Sequence, residues 1–354
     1  MKKIFIAALA IAALAACNKT EVVGVTESNA IAFDNAFVDN ATKSVNDPSW
    51  SNTKLFSNFA VYGCVENATL FDNVEVTGSA LNGNWTYTNT QYWIAGAKYN
   101  FAAVAPYANG ETGVFSVTKN NENYVGTTTL PYTNVDGTND LLYAQNAQVV
   151  GAATGNTKVA FTFRHILSKV KFSFENAYNA STATIKVYDI KIENAWKSAT
   201  ATLGVDATAW ASYDEEITLD FGNASDNQAT PDTQESVEVA YAFGGIYESL
   251  NERLLIPGPA PEVTYEVKGG NTTKTETKKA YKVTFKVDLL VNGTLIKTYP
   301  HTSYVEFTPV AGCSYDITAE INATNIDPDN TQEAIQFTVT TISDWDKTDS
   351  DKTM

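Results

Sequence analysis

Histidine appears only twice in this 354-residue chain, as His165 and His301, and cysteine only three times, as Cys17, Cys64 and Cys313. Neither histidine has a cysteine or carboxylate beside it at ligand spacing, so no transition-metal site is expected. Arginine is as scarce, at Arg164 and Arg253 alone. With 24 basic against 40 acidic residues, a formal net charge of −16, nucleic acid is excluded as a partner. Neither a glycine-rich phosphate loop nor a nucleophile elbow occurs. Asp327, Asp329, Thr331 and Glu333 begin like a calcium loop, but Gln332 stands at the glycine position and Thr338 at the bidentate acid. An Asp-Pro turn is the expectation there. These gaps argue against catalysis and against a bound cofactor or metal.

Long hydrophobic runs are also missing after the first residues. Lys2 and Lys3 precede an apolar stretch from Ile4 to Ala16 that is too short to span a bilayer and has the form of a signal peptide. It ends Leu14-Ala15-Ala16-Cys17. Small residues before a cysteine suit a lipoprotein signal peptidase, which cuts between Ala16 and Cys17 and leaves a lipid on the Cys17 thiol. The acyl chains together hold such a protein stably on a leaflet. Removing Lys2 and Lys3 with this leader makes the mature chain more acidic still. Cys64 and Cys313 are far apart in sequence and are expected as two buried thiols without a disulfide.

What the chain has in quantity is period-two alternation. Tyr281, Val283, Phe285 and Val287 alternate with Lys282, Thr284, Lys286 and Asp288, the pattern of a half-buried antiparallel strand. Val237 to Phe243, Val263 to Val267 and Tyr315 to Ile321 repeat it. Asn292-Gly293 marks a tight hairpin turn. Helical periodicity is nearly absent, so an all-β fold is expected, built from β-sandwiches. Val159, Phe161 and Phe163 are odd-numbered whereas Val170, Phe172 and Phe174 are even. The strand must therefore bend or change sheets across Arg164 to Lys169. This gives a leader over 1–16, a tether over 17–27, an amino-terminal β-sandwich over 28–156, a carboxy-terminal one over 157–346 with a polar insertion near 193–235, and a polar tail over 347–354.

Four phrases then resemble the fimbrillin family of Gram-negative anaerobes. They are Tyr99-Asn100-Phe101-Ala102-Ala103 with Ala105-Pro106, Asn139 to Ala144 (NDLLYA), Phe161 to Val170 (FTFRHILSKV), and the ending Ile342-Ser343-Asp344-Trp345. With the lipid-attachment sequence they span nearly the whole chain. The resemblance implies two tandem transthyretin-like Greek-key sandwiches, delivery to the outer-membrane surface as a lipoprotein, and assembly with other fimbrial subunits by strand exchange.

It also implies that a protease removes the first strand, here Ala30-Ile31-Ala32-Phe33 continuing to Phe37-Val38, to open a groove for a neighbour's strand. Fimbrillins are typically cut after arginine; the basic residue after this strand is Lys43, so maturation would fall between Lys43 and Ser44. If it does not, the subunit stays lipid-attached as an anchor. The candidate donor is the carboxy-terminal run Ile335, Phe337, Val339, Ile342 and Trp345, whose phase slips between Val339 and Ile342; the same run also fits the last strand of the second sandwich. A second function class is a non-polymerising surface lipoprotein that binds glycans, with Trp85, Tyr87, Tyr92 and Trp93 as a stacking platform, although aromatic residues in this pattern more often form sandwich core or cross-strand pairs.

Overall fold

A computed structural model describes residues 29–38, 57–78, 85–107, 112–152, 158–179, 182–225, 244–269, 272–329 and 335–344. Strands are numbered in chain order, and there is no α-helix among the described residues. A seven-stranded sheet runs β1 (Phe33–Val38), β9 (Val159–His165), β8 (Leu142–Val150), β5 (Lys98–Ala105), β2 (Asn58–Val65), β3 (Ala68–Thr77) and β4 (Thr86–Tyr87). The second sheet runs β13 (Ala224–Ser225), β14 (Ile246–Ser249), β10 (Ser168–Asn176), β20 (Cys313–Ile321) and β21 (Phe337–Asp344), with β15 (Arg253–Leu255) also on β10. The third runs β19 (Thr294–Val305), β18 (Tyr281–Val291), β11 (Ala183–Leu203), β7 (Asn123–Thr133) and β6 (Val114–Asn120), with β12 (Thr208–Gly222) on β11. A separate hairpin joins β16 (Glu262–Gly269) to β17 (Thr272–Lys279).

The alternation read in the sequence is the burial pattern of the strands. In β18, Tyr281, Val283, Phe285 and Val287 are buried and the residues between them are half-buried. Asn292 and Gly293 turn this strand into β19 with φ of 50° and 75°, the two positive angles of a type I′ turn. The phase switch between Phe163 and Val170 is a change of sheet, since β9 lies in the first sheet and β10 in the second. Val237 to Phe243 lie outside the described residues.

Three apolar clusters follow. Phe172, Phe174 and Ile317 of the second sheet face Ile185, Val187, Val283 and Phe285 of the third, forming one sandwich core. A second cluster, around Phe33, Phe59, Phe101 and Phe161, lies wholly within the first sheet and the segments flanking its strands. That is possible because the sheet curls: β1 and β4 are its opposite edges, yet the rings of Phe33 and Tyr87 lie 5.4 Å apart. The outer face of the curl, through Tyr62, Val104 and Tyr143, packs on Leu130, Ala201, Leu203 and Ile256 in the third cluster.

Strand β11 links these cores. Its first part pairs with β18 and sends Ile185 and Val187 into the sandwich; its last six residues pair with β7 and send Ala199, Ala201 and Leu203 against the curled sheet. The stretch expected as a polar insertion from residue 193 is thus largely a central strand and its hairpin partner β12, with residues 226–235 outside the described ones. Its alternation is hard to read because each part faces a different core.

Two buried polar groups respond to this packing. Cys64 is buried, which pushes its thiol pKa up, whereas Cys313 is only half-buried, and the two form no disulfide. The expectation of two buried thiols therefore needs correcting for Cys313, which opens β20 beside the sheet edge. His301 stacks on Phe285 with centroids 5.0 Å apart, and burial lowers its pKa to about 4. A base whose folded pKa lies below its unfolded value contributes stability that is present above about pH 6.5 and is lost as the pH falls towards 4. The stability of wild type should fall by up to roughly 3 kcal/mol over that window through this group alone. His301→Gln should show a correspondingly shallower decline in urea unfolding at pH 7 and pH 4, and an unchanged decline would remove His301 as the cause.

Candidate functional site: an edge strand, its socket and the junction

The amino-terminal strand closes the curled sheet. Upstream of β1, Ile31 N–H donates to Gln91 O at 2.8 Å, Trp93 N–H donates to Asn29 O at 3.1 Å, and Asn29 Nδ2 donates to Trp93 O at 3.0 Å. Downstream, Val159 N–H donates to Ala32 O at 2.7 Å and β1 continues parallel to β9, with a register shift between Asp34 and Phe37. The segment therefore spans from the 91–93 loop to β9. Tyr87 pins its centre: the phenol donates to Ile31 O at 2.7 Å and accepts from Gln91 N–H at 3.1 Å.

Ile31 and Phe33 are each 1% exposed. The Phe33 ring meets five others, those of Phe59, Phe71, Tyr87, Phe101 and Phe161, with centroids between 5.4 and 6.3 Å. Four are edge-on and Phe161 is stacked, the arrangements that aromatic quadrupoles favour. These rings form a socket supplied by β2, β3, β4, β5 and β9 and filled by one residue of an edge strand. If the strand left, an apolar cavity and one side of β9 would be exposed together.

At the other end of the chain, β21 is the edge of the second sheet and, among the described residues, pairs antiparallel with β20 alone. Ile335 is buried, and its carbonyl accepts from Ser303 Oγ at 3.1 Å. Phe337 lies 5.7 to 6.0 Å from Phe172, Phe174 and Phe285, and Val339 packs on the same core. The phase slip is a bulge: Tyr315 pairs with Thr341 and Ser314 with Ser343, which leaves Ile342 between them. Here the run is held by its own chain. Ala16, Cys17, Lys43, Ser44 and Trp345 lie outside the described residues.

The phrases FTFRHILSKV and NDLLYA meet at the junction of the cores. Phe161 and Phe163 enter the curled sheet, Ile166 and Leu167 enter the intervening cluster, and Val170 begins the sandwich core. Arg164 Nη1 donates to Val205 O at 2.7 Å; Nη2 donates to Gly204 O at 2.9 Å, Ala207 O at 3.0 Å and Thr208 Oγ1 at 3.3 Å. One guanidinium thus caps the β11–β12 turn. His165 Nδ1 lies 2.6 Å from Asp140 Oδ2, and both side chains are buried. The partner is 25 residues away in sequence and is brought near because β8 and β9 are antiparallel and pair Leu142 with His165. Arg164→Ala should cost about 2–3 kcal/mol in chemical denaturation, with Arg164→Lys recovering only part, since an ammonium cannot fork to several carbonyls.

The proposed stacking platform does not form. Trp85 and Trp93 are core residues, edge-on to Phe59 at 4.9 Å and to Tyr99 at 4.7 Å, while Tyr92 alone of the four is exposed. Asp327, read as a mock calcium ligand, accepts from Asp329 N–H and pairs with Lys297 at 3.3 Å, the geometry of a turn. The described residues contain no group of three metal-ligating side chains.

A sequence profile described as fimbrillin-like matches residues 41–345, and one described as a prokaryotic membrane lipoprotein lipid attachment site matches residues 1–18. None of the curated proteins matches. Among solved structures, the chain is similar to a candidate cell adhesion protein from Bacteroides uniformis, with 15% identity, a TM-score of 0.41, and coverage of 91% of this chain and 99% of that one. A similar protein from Bacteroides ovatus has 16% identity, a TM-score of 0.43, and coverage of 89% and 96%. The fimbrial anchor protein Mfa2 from Porphyromonas gingivalis has 12% identity, a TM-score of 0.29, and coverage of 80% and 88%.

Proposed function

This chain belongs to the fimbrillin-like family and is a lipid-anchored cell-surface fimbrial protein, and we propose that it is a structural and adhesive subunit assembled by strand exchange. In this reading the lipid on Cys17 delivers the precursor to the outer surface. Cleavage between Lys43 and Ser44 then releases the lipid together with β1. The opened socket takes a strand from a neighbouring subunit, for which the run from Ile335 to Trp345 is the candidate. The two cores would correspond to tandem transthyretin-like domains meeting near residues 156 and 157.

The observation that carries this is the position of Phe33: a residue at the heart of an aromatic core that belongs to an edge strand followed by a basic residue. Strand replacement satisfies backbone donors and acceptors and refills apolar pockets in one step, which makes joints that resist dissociation. Surface preparations should therefore give a high-mass ladder on a denaturing gel that survives without heating and collapses on boiling. A single monomer band in unheated samples would refute polymerisation and leave a monomeric surface lipoprotein.

A further inference from the structure

Beside the junction lies an open cleft of about 560 Å³ between the β11–β12 turn and the loops carrying Pro257 and Pro309, within the usual size range of small-ligand sites. Two aromatic rings line it in fixed orientations. Trp210 Nε1 donates to Ile166 O at 3.1 Å, and Tyr213 Oη donates to Pro257 O at 2.8 Å. Their edges are spent on protein carbonyls. Gly258, at φ 125°, lets the backbone pass against Tyr213, where any Cβ would collide with the phenol.

The charges in the cleft define what it can take. Arg164 lines it, but its terminal nitrogens already hold three carbonyls and the Thr208 hydroxyl, so it offers little to an anion. The chain's charge of −16 also opposes one. Asp206, exposed on the rim, supplies carboxylate acceptors, and the Thr208 hydroxyl accepts from Arg164 while keeping its own proton to donate. Apolar faces next to acceptors for hydroxyl groups suit a ligand with C–H faces and O–H edges.

We infer that this cleft binds a neutral saccharide, with Trp210 and Tyr213 against the sugar ring and Asp206 and Thr208 on its hydroxyls. The site does not depend on polymerisation. It relocates the glycan reading from the buried Trp85 and Trp93 to the junction.

The test uses the full mature chain with Cys17→Ser, applied to an array of neutral and acidic oligosaccharides, with hits titrated by indole fluorescence. Retention of neutral saccharides is expected, and Asp206→Ala should weaken it at least tenfold. Trp210→Phe, with thermal unfolding as a check on its fold, should weaken it similarly. Retention of no neutral saccharide would overturn the inference. So would binding unchanged by Asp206→Ala, or retention only of acidic saccharides or of a proline-rich peptide used as the control probe.

Discussion

Phe33→Ala should destabilise the unprocessed chain by about 3–5 kcal/mol, the cost of emptying a well-packed phenylalanine site. The five rings around Phe33 come from five different strands, so no single side-chain rotation can fill the space. The effect should be read by chemical denaturation of the intact precursor, and by faster amide exchange in β1 and β9. Subunits in assembled fibres should not show it, because in strand exchange β1 has left and the socket holds a neighbour's residue. A loss below about 1 kcal/mol in the precursor would mean that β1 is dispensable to the core. Equal destabilisation in fibres would mean that β1 never leaves.

Lys43→Ala should abolish the ladder while leaving the folded precursor intact. If processing follows Lys43, the substituted chain keeps Cys17 and its lipid, keeps β1 in the socket, and stays at monomer mass in unheated gels. Thermal unfolding of the soluble form should match wild type, which separates a loss of processing from a loss of folding. A normal ladder from Lys43→Ala would place any cut elsewhere.

How much of this was legible depended on whether a pattern was local. The alternation of β18, the Asn292-Gly293 turn and the sheet change between Phe163 and Val170 are each written within a dozen residues, and the structure carries all three. The first strand was also legible, although the ladder with β9 begins only at Phe33 and the residues before it bridge to the 91–93 loop. The curl that brings Phe33 to Tyr87 was not, because it joins residues 54 apart through the twist of a whole sheet.

Strand β11 was obscured by its own alternation. Ile185 and Val187 are odd-numbered, Ile190 and Ile192 even, and Ala199 to Leu203 odd again, the first slip falling at Asp189 with φ 56°. The aromatic cluster Trp85 to Trp93 allowed two readings, sandwich core or stacking platform, and the structure carries the first for both tryptophans. Composition identifies rings but not their burial, and the curl turns both tryptophans inward. His165 found its carboxylate through strand pairing, which ligand-spacing rules do not see.

Lipid anchoring and polymerisation make opposite demands on the same amino terminus, since removing β1 also removes Cys17. Mass analysis of the amino terminus of subunits taken from assembled fibres separates the two most directly. Strand exchange after processing predicts a chain that begins at Ser44, with no lipid. A chain that still begins at lipidated Cys17 within the fibre would contradict it and make this subunit an unprocessed anchor.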